Sequence, residues 1–301
     1  MRNFRAKVKR DRYVGLIALP GFLYLLIFNC VPMAGIIVAF QNFSFRKSIF
    51  QNKWVGLKWF TKFFHSIYFT RVVRNTLVLN ALVLFSGMLF SILLALFLNE
   101  FKNQRLKKFC QSATYFPHFV SVVVLVGIMT RMFDTTTGVV NTAIAALGGS
   151  KVDFFNSNVW IRPLYVASSV WSGAGWGSII YMGAITAVDP TLYEAAMIDG
   201  CDRFKQMLHI TLPSVKPVII TVLIMNIGKM MNLGATKVLL MYNAATYETM
   251  DVISTFVYRT GITQGEYGYA TAIGLFNSVV NILLLVTANY ISKKTTEVGV
   301  F

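Results

Sequence analysis

Charge is what this sequence has least of. Only 13% of its 301 residues are Asp, Glu, Lys or Arg, where a water-soluble domain of that size carries roughly 25%. So few ionic groups cannot coat a water-facing surface, which excludes an ordinary cytosolic enzyme. Carboxylates are scarcer still, 12 against 28 basic residues. Three cysteines, Cys30, Cys110 and Cys201, lie far apart in or beside apolar stretches, which suggests neither a disulfide framework nor a metal site. With 21 Gly and 7 Pro, the chain is neither collagenous nor disordered. What fills it is apolar, with 55% hydrophobic residues and a mean hydropathy of +0.59. This is the composition of a membrane protein.

Catalytic signatures are missing as well. No G-x-x-x-x-G-K-[ST] occurs, so the chain has no phosphate-cradling loop of its own. H-E-x-x-H and paired C-x-x-C are absent, and His65, His118 and His209 have no carboxylate or cysteine at ligand spacing. His118, next to Pro117, reads as a helix-packing residue. Gly173-Ala174-Gly175-Trp176-Gly177 lies inside an apolar run with no strand before it, and its G-x-x-x-G spacing permits close helix approach. The expectation is a chain with no catalytic residue, no metal and no bound cofactor.

Five charge-free stretches, 13–45, 75–99, 109–130, 163–188 and 267–292, each have at least 22 residues. About 20 apolar residues cross the hydrocarbon core as a helix. A sixth, Pro217–Ala235, is interrupted by Lys229. Backbone polar groups in lipid must bond internally, so the predicted fold class is an all-α polytopic membrane protein. It is a single domain, 1–301, with six transmembrane helices at about 14–40, 75–98, 110–131, 163–187, 217–235 and 268–292. The first apolar run is too long for a cleaved signal sequence and reads as an anchor.

The excess of 28 basic residues records orientation rather than nucleic-acid binding. Six basic residues fall in the first twelve, four in 99–109, three in 188–216 and two after 292; the other side holds nine, six of them in 41–71. The bias places both termini in the cytoplasm, including a tail at 1–13. The basic 41–71 loop leaves one alternative, an extra buried segment that shifts the topology.

The most regular polar segment is the loop at 188–216. Asp189 can cap a helix begun by Pro190, Glu194, Ala195 and Ala196 favour its continuation, and Gly200 allows a left-handed stop. Residues 202–209 suit a second short helix, and Pro213 marks a bend towards the fifth span. The product is a helix–turn–helix shelf on the cytoplasmic face.

The spacing Glu194-Ala195-Ala196, Gly200, Ile210, Leu212-Pro213 resembles the EAA signature of binding-protein-dependent ABC importer permeases. Pro32-Met33-Ala34-Gly35-Ile36, Trp54-Val55-Gly56-Leu57, Arg74-Asn75-Thr76-Leu77 and Gly268 to Phe276 are similar to the carbohydrate branch, closest to its LplB-like members. The resemblance covers nearly the whole chain. It implies the type I ABC importer permease fold in the cell membrane, with a second homologous permease, an external solute-binding protein, and two cytoplasmic ATPase subunits that hold ATP and Mg. It implies import of a carbohydrate, an oligosaccharide in the reading of this branch. Glu194, Ala195, Ala196, Asp199, Gly200, Ile210, Leu212 and Pro213 would then form the joint with the ATPase. Three other readings stand beside it: a permease of the same family for a non-sugar solute, a secondary transporter or channel that needs no ATP, and a membrane enzyme.

Polar residues in spans usually face a bundle interior or water. Asn226, Lys229 and Asn232, at i, i+3 and i+6, lie broadly on one face, and a mid-membrane lysine costs on the order of 3 kcal/mol on insertion scales. These are the first candidates for the pathway. Trp171, Trp176 and Tyr181 offer sugar-stacking faces or simple packing, and Asn277 with Asn281 offers pathway contacts or glue between helices. Lys229 suggests a preference for acidic sugars. Related sequences commonly have a small residue near 229, and a different run where this chain has Gly234-Ala235-Thr236-Lys237, so pathway details do not carry over there.

Overall fold

The computed structural model describes residues 12–44, 46–296 and 299. Apart from its last two residues, the expected tail at 1–13 lies outside them. Among the described residues the chain is helical, with one two-stranded hairpin in which β1 (Gln41–Asn42) runs antiparallel to β2 (Lys53–Trp54) and Gln41 faces Trp54. The chain forms two compact units.

The first unit comprises residues up to His65 together with Arg259–Leu275. Helix α1 (Arg12–Leu25) continues through a π-turn (Leu26–Cys30), a short α segment and a 3-10 stretch to Phe40. The π-turn ends just before Val31-Pro32, and Val31 N–H bonds to Leu26 O, five residues back. That wider turn accommodates a proline that has no N–H to give the ladder. Helix α2 (Lys58–Phe64) packs in this unit. Trp59 donates to Gln41 O at 2.9 Å, Lys62 pairs with Glu266 at 2.7 Å, and Lys62 lies over the Tyr269 ring at 4.4 Å. Gly268 is fitted so tightly that a Cβ would sit 2.6 Å from Gln41 O. The Gly268-Tyr269-Ala270 run thus serves packing.

The second unit comprises Ser66–Tyr258 and the residues from Phe276. Its helices are α3 (Phe69–Asn99), α4 (Gln104–Tyr115), α5 (Val122–Met132), α6 (Val139–Ala146), α7 (Ile161–Thr186), α8 (Pro190–Ile198), α9 (Arg203–Gln206), α10 (Leu212–Ile227), α11 (Ala235–Met241), α12 (Tyr247–Met250) and α13 (Ile253–Tyr258). Helix α14 (Tyr267–Thr296) gives residues to both units. The central pair is α3 with α7. One apolar cluster gathers Leu79, Met129, Ile161, Leu164, Val238 and Met250, and a second gathers Ala95, Leu98, Met182, Ile185 and Val215. Close approach in α7 comes from Gly175 and Gly177, where a Cβ would fall on the Thr114 carbonyl and 2.6 Å from Ser91 Oγ. Gly173, the first glycine of the expected G-x-x-x-G pair, has nothing within 4 Å of that position.

Arg74-Asn75-Thr76 clamps the segment before α13. Asn75, fully buried, donates to the carbonyls of Glu248 and Asp251, each at 3.0 Å, and accepts from Arg162 at 2.6 Å. Arg74 pairs with Glu248 at 2.9 Å, Arg71 with the buried Asp251 at 3.2 Å, and Thr76 Oγ1 accepts from Ile253 N–H at 2.9 Å.

Among the described residues four helices are long and apolar enough to span: Gly15–Phe40, Phe69–Asn99, Arg203–Ile227 and Tyr267–Thr295. The third expected span, 110–131, is not one straight helix. Gln104–Phe119 and Val122–Met132 meet at a 97° bend, because Pro117 ends the ladder in a 3-10 turn and Ser121 caps a fresh helix by accepting from Val124 N–H at 3.3 Å. Counted as one broken span, the pair makes a fifth. Helix α7, at 26 residues, is long enough at 1.5 Å per residue, but its serines and glycines lower its hydropathy. The expected fifth span, 217–235, also needs revision. Its helix begins at Arg203 and ends at Ile227, with Gly228 as the C-cap in a seat where a Cβ would meet Leu285.

Candidate functional site

The shelf is built from caps. Asp189 accepts from Thr191 N–H at 2.9 Å with Pro190 in the first turn of α8. That bond, with help from the Thr191 hydroxyl, holds the Asp189 carboxyl below its ordinary range. At the other end Gly200 adopts φ +75°. Cys201 N–H reaches Ala196 O at 2.8 Å and Gly200 N–H reaches Met197 O at 3.1 Å, the paired bonds of a Schellman stop. Asp202 then caps α9 by accepting from Lys205 N–H at 2.8 Å.

From Arg203 onward the helix runs to Ile227, so the second shelf helix does not stop at 209 and Pro213 lies within it. A π-turn (Met207–Thr211) precedes Leu212-Pro213, with Leu212 N–H on Met207 O. The extra residue of the π-turn lies just where the proline's missing N–H interrupts the ladder. Cross-braces hold the shelf: Tyr193 Oη and Thr211 Oγ1 share a 2.9 Å hydrogen bond, Gln206 donates to Cys201 O at 3.0 Å, and Arg203 pairs with Glu100 at 3.3 Å. A cavity of about 580 Å³ lies among Glu100, Tyr193, Cys201, Arg203 and Gln206. Glu194, Ala195, Asp199 and Gly200 are exposed, as is Pro213, while Ala196, Ile210 and Leu212 are half-buried. Beside them stand apolar side chains open to the surface, Ile198 at 87% and Phe204 at 65% exposure. The shelf is a stiff part with an uncovered greasy face.

A second cavity, about 420 Å³, opens between α3, α7 and α10. Asn80 and Ser91 come from α3, Ser169 and Tyr181 from α7, and Asn226, Lys229 and Asn232 from the end of α10 and the turn beyond. Although the helix stops at Ile227, Lys229 N–H bonds to Asn226 O at 3.0 Å and Asn232 N–H to Lys229 O at 2.8 Å. These i to i−3 bonds keep the three residues on one side, so all face the cavity. Tyr181 lines it as well, only 2% exposed.

Other expected residues lie elsewhere. Trp171 is exposed and outside the lining. Trp176 stacks on His118 at 4.7 Å between centroids and meets Phe119 edge-on. Asn277 donates to Asn232 Oδ1 at 2.8 Å; Asn281 donates to the same oxygen at 3.0 Å and accepts from Met231 N–H at 2.9 Å. The two amides fasten the turn. One half-buried cation was missed. Lys237, counted from sequence as a loop charge, donates to Ser169 Oγ at 2.6 Å and Tyr165 O at 3.2 Å and lies 4.5 Å from the Tyr165 ring. Its signal was a second lysine eight residues after Lys229 in otherwise apolar sequence. Among the described residues no cluster of three or more His, Cys, Asp or Glu is placed to hold a metal.

The family described as binding-protein-dependent transport system inner membrane component matches residues 87–297. Protein LplB of Bacillus subtilis (strain 168) is 42% identical over 99% of this chain and 94% of its own length. The polygalacturonan/rhamnogalacturonan transport system permease protein YteP of the same organism is 43% identical over 98% and 92%. Among solved structures, a chain of a bacterial ABC transporter involved in import of the acidic polysaccharide alginate is 37% identical, with a TM-score of 0.90 over 98% of this chain and 100% of that one. The same similarity holds for a chain of the bacterial alginate transporter in complex with an alginate pentasaccharide-bound periplasmic protein, with 98% and 99% covered.

Proposed function

Since this chain belongs to the binding-protein-dependent transport system inner membrane components, we propose that it is one of two homologous permeases in an ATP-driven oligosaccharide importer. An external solute-binding protein delivers the sugar. Two cytoplasmic ATPase subunits hold ATP and Mg and drive the cycle, and this chain has no nucleotide site of its own. In this reading six membrane crossings, with α7 and the bent α4–α5 pair among them, place both termini in the cytoplasm.

The observation that carries the proposal is the shelf at 189–213, capped at both ends, braced to α3 and π-turn, and continuous with a 25-residue helix. A rigid element seated in a partner passes on a rigid-body movement, where a floppy loop would absorb it. Its exposed Ile198 and Phe204 supply apolar surface for a groove, with Glu194 at the polar edge and Ala195 and Ala196 allowing close packing. The sugar class is supported by the relatives' substrates and by the polar cavity beside Asn226 and Asn232. Coupling requires that nucleotide and sugar each bind the two states of the complex with different affinity. Moving such an equilibrium from 1:99 to 99:1 takes about 5.5 kcal/mol, so the joint must resist forces of that scale.

The test is purification from native membranes and reconstitution. Two copies of an ATPase subunit and a second permease are expected to co-purify, and sugar to accumulate in vesicles only with ATP and the binding protein. Solute flux through this chain alone under an ion gradient would refute the proposal, as would a shelf labelled from outside the cell.

A further inference from the structure

Lys229 is the one charged group among the residues lining the 420 Å³ cavity, whose polar positions include Asn80, Asn226 and Asn232 and no carboxylate. Among the described residues no ion pair reaches it. Behind the same wall Lys237 donates to Ser169 Oγ and to the Tyr165 carbonyl. The Ser169 hydroxyl donates to that carbonyl too, at 2.8 Å, and Ser169 lines the cavity. With its proton given to the Tyr165 carbonyl, the Ser169 oxygen, like that carbonyl, has only lone pairs left to present. Lys237 occupies those lone pairs and turns the wall positive.

We propose that this cavity selects carboxylate-bearing sugars, with Lys229 meeting the carboxylate and Lys237 as a positioning residue acting through Ser169. The inference rests on the sugar-import reading and narrows it to uronic-acid oligosaccharides. The cavity volume falls within the usual range for small-molecule sites. A lysine suits the task because its three rotatable donors follow a ligand that passes through, whereas the fixed fork of arginine holds one pose.

The experiment is equilibrium dialysis of the purified whole complex, without the binding protein, against a galacturonate trisaccharide and its carboxyl-reduced neutral counterpart. The acid form is expected to bind at least about tenfold tighter at low salt, with the preference shrinking as ionic strength rises. Lys229→Gln is expected to lose about tenfold on the acid form alone, and Lys229→Arg to retain it. Lys237→Met loses about threefold of the preference, restored by Lys237→Arg. Equal binding of both forms by the wild type overturns the proposal, as does equal loss of both in Lys229→Gln. Binding of neither form by a preparation that accumulates sugar with ATP overturns it as well, and leaves the import reading standing. Failure to accumulate any sugar overturns the import reading instead.

Discussion

Replacing Gly200 isolates one cause. Its φ is +75°, and an added Cβ would find nothing within 4 Å. Steric conflict with neighbours therefore plays no part, and backbone conformation alone is tested. An L-residue in the left-handed region costs roughly 1–2 kcal/mol, and a β-branched one lies at or above the top of that range. Taking about 2 kcal/mol for Gly200→Val, the ordered shelf loses about 30-fold against frayed alternatives, at 1.4 kcal/mol per factor of ten. The bonds at risk are Cys201 N–H to Ala196 O and Gly200 N–H to Met197 O. Sugar-stimulated ATP hydrolysis by the reconstituted complex is expected to fall in the order Asn, Ala, Val, with Asn mildest because it tolerates this cap position. Membrane insertion and basal hydrolysis should not change. Wild-type stimulation in Gly200→Val, or a series ordered by side-chain size against a neighbour, would refute the reasoning.

Three further outcomes follow from the geometry. Gly175→Ala should cost towards the upper end of the roughly 1–3 kcal/mol typical of overpacking, since its Cβ meets the Thr114 backbone. Gly177→Ala should cost under about 1 kcal/mol, because its neighbour is the Ser91 hydroxyl, which can rotate; thermal unfolding in detergent separates the two. Asn75→Ala strips three buried hydrogen bonds and should destabilise by roughly 2–4 kcal/mol, whereas Arg74→Ala removes an exposed pair worth at most about 1. The Asp189 carboxyl titrates below its ordinary value of 3.8, so its cap is complete above that value and is lost only as pH falls through the lowered one. The coupling deficit of Asp189→Ala should thus stay constant between about pH 5 and 8; a deficit that changes across that window would count against the cap.

Much of this was legible because it depends on composition and local chemistry. Charge-free length is enough to find the long helices, and Asp189, Pro190 and Gly200 carry the shelf's boundaries in their own side chains and backbone freedom. What escaped depends on breaks in a ladder or on distant partners. Pro117 and Pro213 look alike in an apolar run, yet one accompanies a 97° bend and the other follows a π-turn in a continuous helix. Hydropathy sees neither. The close seat of Gly228, where a Cβ would meet Leu285, depends on a residue 57 positions away. Lys237 reads as a loop charge until Tyr165 and Ser169 are placed beside it, and Trp176 as a sugar platform until His118 covers its face.

The π-turn at Met207–Thr211 fixes a count as well as a shape. Each residue of a helix advances the azimuth by about 100°, so deleting one position there would swivel everything upstream by that angle relative to the membrane segment. Thr211 would no longer point at Tyr193, and the Ile198 and Phe204 face would aim elsewhere. The interval from Gly200 to Pro213 is therefore a phase setting: grafts that exchange this part between homologues must preserve its residue number even where its side chains are free to vary.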